Sequence, residues 1–176
     1  MEYVLRKESP QDYHEVERLV EVAFQSVEHS DHREHLLVAR LRKSASFIPD
    51  LSIVAVYEDQ LVGHILVTKI QITHPTCRFE SLALAPVSVL PAFQGKGIGG
   101  KLIQGAHRVA KDLGYGSIVL LGHAGYYPRF GYQKASHFNI ALPFEVPDEN
   151  CMAIELQEGA LGEVHGTVVY DPAFYE

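Results

Sequence analysis

The sequence predicts an α+β fold with a mixed, mostly antiparallel sheet flanked by helices. Three observations predict it. Residues 51–57 and 61–73 are apolar, β-rich runs separated by Glu58-Asp59-Gln60, the pattern of a hairpin. Residues 97–113 are a long amphipathic helix between two strand-like runs, and a right-handed crossover makes those strands parallel. No linker, repeat or low-complexity stretch interrupts the chain, so one domain over residues 1–176 is expected, with a core at 3–132 and C-terminal strands in 133–176 completing the sheet.

The elements follow in order. Tyr3-Val4-Leu5-Arg6 opens as a short strand. Ser9 reads as an N-cap, with Pro10 at the first helical position and Asp12 in the first turn. Val16, Leu19, Val20 and Ala23 then recur at helical spacing. A second helix spans 33–43, with Leu36, Leu37, Arg40 and Leu41 on one amphipathic face. After the hairpin, whose Gly63 marks a bulge or a close backbone approach, His74-Pro75-Thr76 breaks the chain. A third strand runs over 79–90, interrupted near Pro86.

The long helix carries Leu102, Ile103, Ala106, Val109, Ala110 and Leu113 on its apolar face. Lys101, Gln104, His107, Arg108 and Lys111 fall on the other, and Gly114 stands at the C-cap. Residues 117–121 form a buried strand, and 152–156 and 166–170 are further strand candidates.

Composition narrows the function. The chain is 47% hydrophobic and 21% charged, which is ordinary for a soluble globular protein. A net charge of −7 argues against general nucleic-acid binding, so an anionic ligand must meet a local basic patch. Cys77 and Cys151 form neither a disulfide framework nor a CxxC site, and read as small buried hydrophobes in a reducing cytoplasm. No signal peptide or membrane-spanning run is expected. His29, His32 and His35, with Asp31 and Glu34, have a metal-like spacing, but their polar setting is that of a solvated connection. No metal site is expected.

Gln94-Gly95-Lys96-Gly97-Ile98-Gly99-Gly100 lies between the third strand and the long helix, where backbone amides can wrap a phosphate. Three phosphate patterns compete for it. GxGxxG fits, but a Rossmann unit wants an acid about 20 residues on, and Ile118-Val119-Leu120-Leu121-Gly122 contains none. GxxxxGK fits, but a P-loop needs Ser or Thr next, and Leu102 stands there. The third is Gln94-x-x-Gly97-x-Gly99 behind a strand and Pro91.

That third pattern resembles the pyrophosphate motif of the GNAT family of N-acetyltransferases. The resemblance extends from Tyr3 to Tyr132: helices, strand hairpin, the run from Leu82 to Pro91, glycine turn, long helix, strand, and Tyr127-x-x-x-Gly131-Tyr132. Leu121-Gly122-His123 and the run from Tyr126 to Tyr132 resemble its YhbS-like bacterial branch most.

The resemblance implies a GNAT-like fold, acetyl-CoA as co-substrate and a primary amine of a small molecule or peptide as acceptor. Pyrophosphate then sits on the amides of Gly95, Lys96, Gly97, Ile98, Gly99 and Gly100, at the positive end of the helix, with Lys96 and Lys101 adding charge. Pantetheine pairs with the strand edge at Val87, Ser88 and Val89, and an amide near Val89 faces the oxyanion. Tyr127 falls on the family's general-acid tyrosine. Glu80, on the strand, and His123, an imidazole that can titrate near neutral pH, are candidate bases. Many relatives carry an asparagine before this tyrosine, where this chain has Leu120-Leu121-Gly122-His123. A non-catalytic acyl-CoA-binding module of the same fold is the alternative. The acceptor is expected to meet the loop after the first helix, the turn at 58–60 and the C-terminal segment. Oligomeric state is left open, a homodimer included.

Overall fold

The computed structural model describes residues 1–176. Its strands are β1 (Val4–Lys7), β2 (Ser52–Tyr57), β3 (Gln60–His74), β4 (Cys77–Val89), β5 (Ser117–Leu121), β6 (Gln133–Lys134), β7 (Ile140–Ala141), β8 (Cys151–Glu155) and β9 (Gly166–Val169). They form one sheet in the order β1-β2-β3-β4-β5-β8-β6. β9 pairs with Gln71–Thr73 of β3 and with β7. Only β4–β5 and β7–β9 are parallel.

Alternation along the strands puts different helices on the two faces. Ile53, Ala55, Ile65, Val67, Leu82 and Leu84 turn one way and bury α3 (Ile98–Asp112) through Ile98, Leu102, Ile103, Ala106 and Ala110. Val54, Leu61 and Leu66 belong to a second cluster with α1 (Tyr13–Phe24) and α2 (Glu34–Arg42), formed by Val16, Leu19, Val20, Val38 and Leu41. Each fully buried aliphatic side chain contributes about 1.5–3 kcal/mol, so packing, rather than helix propensity, holds these helices in place.

Several local expectations meet their reasons here. Ser9 caps a short 3-10 turn, Pro10–Asp12, that leads into α1, and Asp12 also pairs with Arg6 at 2.7 Å. Glu58 and Asp59 both have positive φ, 47° and 63°, so the hairpin turn holds two residues and Gln60 already belongs to β3. The β2–β3 register slips beside Gly63, where a Cβ would stand 3.0 Å from Leu102 and 3.2 Å from the Ser88 carbonyl. Gly63 thus marks both a bulge and a close approach. Gly114 closes α3: its N–H donates to Lys111 and that of Tyr115 to Ala110, a Schellman motif.

Three assignments change. The buried face of α2 is Val38 and Leu41, while Leu36 is exposed. His107 is not on a solvated face of α3, because its Nε2 meets the Tyr132 hydroxyl at 2.8 Å. Leu113 is exposed beyond the last turn.

A buried polar cluster ties α2 to the sheet. Arg42 donates to Glu8 from Nε at 3.2 Å and Nη2 at 2.6 Å, and to Glu17 from Nη1 at 2.8 Å. Ser52 donates to Glu8 and meets His64 Nε2 at 2.9 Å. His64 also approaches Glu8 at 3.7 Å, but this is not an ion pair. Burial, aided by the Arg42 charge, pushes the imidazole down to about 3, and Arg42 already neutralises Glu8.

Candidate active site

The cleft starts with an irregularity in β4. Ile65 pairs with Val87 and Val67 with Leu84, so Leu66 faces two residues, Ala85 and Pro86. That extra residue bends the strand, and Pro86 offers no ladder donor. On its other side, β4 pairs with β5 only at Leu82–Ile118 and Ala83–Val119. Past the bulge the two parallel strands have separated.

The separation exposes a backbone edge. Leu90 N–H donates to Val62, and antiparallel bonds alternate, so Ser88 turns its backbone toward β3. The N–H and C=O groups of Val87 and Val89 therefore turn away from β3, where no strand follows. Of the three residues expected to bind through the backbone, the register turns the backbone groups of Val87 and Val89 outward. Ser88 is spent on the ladder and its side chain is buried.

Next comes the glycine turn. Gly95 and Gly97 have φ of 76° and 84°, values that an L side chain adopts at a cost of about 1–2 kcal/mol. Gly97 is the N-cap of α3, and no side chain caps the helix. The first-turn amides of Ile98, Gly99 and Gly100 therefore have no partner within the helix, and these residues line the cleft. Gln94 lines the cleft too, but its amide donates to the Val89 carbonyl at 3.0 Å, clamping the turn onto the strand end. Lys96 is exposed over the Phe93 ring, outside the cleft wall, whereas Lys101 is on it.

The loop after β5 closes the far side. Tyr127 starts a 3-10 turn, Tyr127–Phe130, and its ring packs edge-on against Tyr126 and Tyr132. A Cβ on Gly122 would collide with the Tyr127 ring, so glycine at that position lets the ring lie over the strand end. Burial, with a smaller effect of Tyr126, pushes the Tyr127 phenol up to about 12. His123 is exposed on the cleft wall, and its carbonyl accepts the N–H of Tyr126 at 3.1 Å.

These walls enclose about 1080 Å³. The α1–α2 region adds Phe24, Val27, Glu34 and Leu37 as a roof. Glu34 is the one carboxylate on the wall, held by the Ser30 hydroxyl. The sequence places Glu34 at the start of the second helix, beside the histidine-rich loop expected to meet the acceptor, without singling it out. Its position on the wall becomes visible once α2 is docked over the cleft.

Glu80 is not brought to the cleft. It is exposed on β4, opposite Gln71 and near Tyr115, on the other side of the Leu82–Ala83 pairing. The turn at 58–60 and residues 133–176 also supply none of the wall. His29, His32 and His35 do not converge: His32 is turned to the Phe24 carbonyl at 2.9 Å and His35 toward Glu21 at 4.0 Å. Cys151 is buried, as expected. Cys77 is not: it is half-buried and lies beside His74 and His165.

Comparison with known proteins places this geometry. The uncharacterized N-acetyltransferase YjhQ of Escherichia coli strain K12 is 37% identical over 119 residues. That match covers 67% of this chain and 66% of the relative, so the chain spans just under two thirds of its length. The uncharacterized N-acetyltransferase YhbS of the same strain is 24% identical over 172 residues, 97% of this chain and 98% of that one. A GNAT family acetyltransferase from Brucella melitensis, solved in complex with acetyl-CoA, superposes with a TM-score of 0.79 at 34% identity, covering 98% of each chain. YhbS of Escherichia coli, solved with CoA, superposes with a TM-score of 0.88 at 24% identity, covering 99% and 92% of the two chains, a likeness of fold. The acetyltransferase (GNAT) domain model matches residues 4–135, the span that holds the splayed strand, the glycine turn and the tyrosine loop. The chain belongs to the GNAT family of acetyltransferases.

Proposed function

We propose that this protein transfers the acetyl group of acetyl-CoA to a primary amine by direct attack on the thioester. One observation carries the reading. The open backbone edge of Val87 and the Val89 N–H, the uncapped start of α3 and Tyr127 all line one cleft. Pantetheine extends along the edge as an added strand, and the pyrophosphate rests on the amides of residues 95–100.

The amine nitrogen attacks the carbonyl carbon, and the Val89 N–H faces the oxyanion that develops. The C–S bond then breaks and the electron pair leaves on sulfur. Full proton transfer from a phenol at about 12 to a thiolate of reference pKa near 8.5 is uphill by about 5 kcal/mol. Tyr127 therefore acts as a protonated hydrogen-bond donor to the departing sulfur. The proton lost by the amine leaves through water on the His123 side and finally restores the thiol. Glu34 faces the acceptor and favours a cationic amine, which gives up a proton before it attacks. Glu80 has no part in this scheme.

The test is thiol release from acetyl-CoA across a panel of primary amines, alongside thermal shift with CoA and with ATP. Turnover on an amine, with stabilisation by CoA and none by ATP, is expected. Stabilisation by ATP alone overturns the reading. Stabilisation by CoA with no turnover on any amine, equal in wild type and Tyr127→Phe, assigns a non-catalytic acyl-CoA-binding module instead.

A further inference from the structure

The tip of the β3–β4 hairpin and the segment before β9 bring together two imidazoles and a thiol. His74 and Cys77 are the cross-strand pair that closes the hairpin around Pro75-Thr76. Such pairs hold their Cβ atoms about 4.5–5.5 Å apart. His165 arrives from far along the chain. β9 joins β3 at Thr73–Thr167, and Gly166, with φ of 132°, crosses the Thr73 carbonyl where any Cβ would collide. That crossing sets His165 over the hairpin tip. Its ring lies 4.5 Å from His74 and 5.8 Å from Phe79, between centroids. The ligand atoms of His74, Cys77 and His165 all lie within 4.8 Å of one another.

The protonation pattern suits a metal. His165 Nδ1 donates to the Glu163 carbonyl at 3.1 Å, so in the neutral ring Nε2 keeps its lone pair. A backbone carbonyl in this position is the usual outer partner of a ligating histidine. Tetrahedral zinc, with bonds of about 2.0–2.1 Å to nitrogen and 2.3 Å to sulfur, places its ligand atoms about 3.4–3.6 Å apart. Rotation of the exposed His74 and the half-buried Cys77 and His165 supplies that contraction. Two imidazole nitrogens and a thiolate sulfur, with no oxygen ligand from the chain, select against magnesium and calcium.

We propose that His74, Cys77 and His165 bind one zinc-class divalent ion, with water in the fourth position. Binding replaces the Cys77 S–H bond by an S–Zn bond and releases the proton to solvent. The ion staples the lead-in of β9 to the hairpin. The site lies about 35 Å along β3 from Gly63, which pairs with Val89 at the cleft, so it does not depend on the transferase reading.

The test uses the tag-free, chelator-stripped 176-residue protein titrated with Zn2+ by calorimetry. Co2+ serves as the spectroscopic probe. One equivalent of Zn2+ is expected, with a melting-temperature rise of about 5–10 °C at a hundredfold excess over Kd. Cys77→Ser, His165→Ala and the exposed-site variant His74→Ala are each expected to weaken binding about 100-fold. Cys77→Ser should also abolish a thiolate-to-cobalt absorption band. His29→Ala/His32→Ala should bind as wild type. Absence of stoichiometric uptake, uptake unchanged in all three site variants, or uptake lost in the His29/His32 variant overturns the proposal.

Discussion

Replacing Tyr127 by phenylalanine removes one oxygen and leaves the ring contacts with Tyr126 and Tyr132 in place. Burial, with a smaller effect of Tyr126, accounts for the raised phenol, and the substitution keeps the buried ring. Stability should change by less than about 1 kcal/mol. The departing thiolate, by contrast, loses a desolvated donor, and removing one such donor costs about 100- to 1000-fold in kcat. KM for acetyl-CoA should stay within about threefold, since the donor acts in the transition state. Tyr132→Phe is the control. Its hydroxyl meets His107 Nε2 at 2.8 Å, and burial holds that imidazole near 4. Losing the bond should cost about 1–3 kcal/mol, or about 3–10 °C in Tm, with little effect on kcat. Steady-state thiol release and thermal melts on both variants decide the matter. A kcat for Tyr127→Phe within threefold of wild type, or a loss matched by a fall in Tm like that of Tyr132→Phe, would refute the assignment.

Other outcomes follow from the same geometry. Gly97→Ala meets no atom within 4 Å, so its cost is conformational, about 1–2 kcal/mol, and calorimetry should show CoA binding weakened about 5- to 30-fold. Glu80→Gln should leave kcat and both KM values unchanged, while Glu34→Gln should raise KM for a cationic amine and leave KM for acetyl-CoA alone. His64 and His107 sit below the usual 6.5, at about 3 and about 4, chiefly through burial. Between those values and 6.5 the unfolded chain binds more protons, so stability present above pH 6.5 is lost as pH falls. About 4 kcal/mol should disappear between pH 7 and 5, read as a lower urea midpoint; an unchanged midpoint would show that these rings are not buried and neutral.

Features governed by neighbours in sequence were legible. α3 was readable from its apolar spacing and from Gly114, and the glycine turn from its position between strand and helix. Gln94 was recognisable as part of a motif, yet its contact with the Val89 carbonyl depends on how the turn folds back. Glu80 and Glu34 show the limit most clearly. Glu80 sits on the right strand, but a pairing partner at Leu82 and Ala83 separates it from the splay. Glu34 opens α2 next to a polar connection and reaches the cleft because Val38 and Leu41 dock that helix.

By itself, then, the sequence determined the donor side of this protein. Left-handed backbone, an uncapped helix start and helical periodicity are properties of short stretches, and glycine and aliphatic spacing record them directly. Tertiary structure decided the rest: which of Val87, Ser88 and Val89 expose their backbone, which carboxylate lines the cleft, that His107 and Tyr132 are partners, and that Cys77 lies beside His74 and His165. Strand register and helix docking set these juxtapositions. They arise from burial summed over the whole core, so no local pattern of residues encodes them.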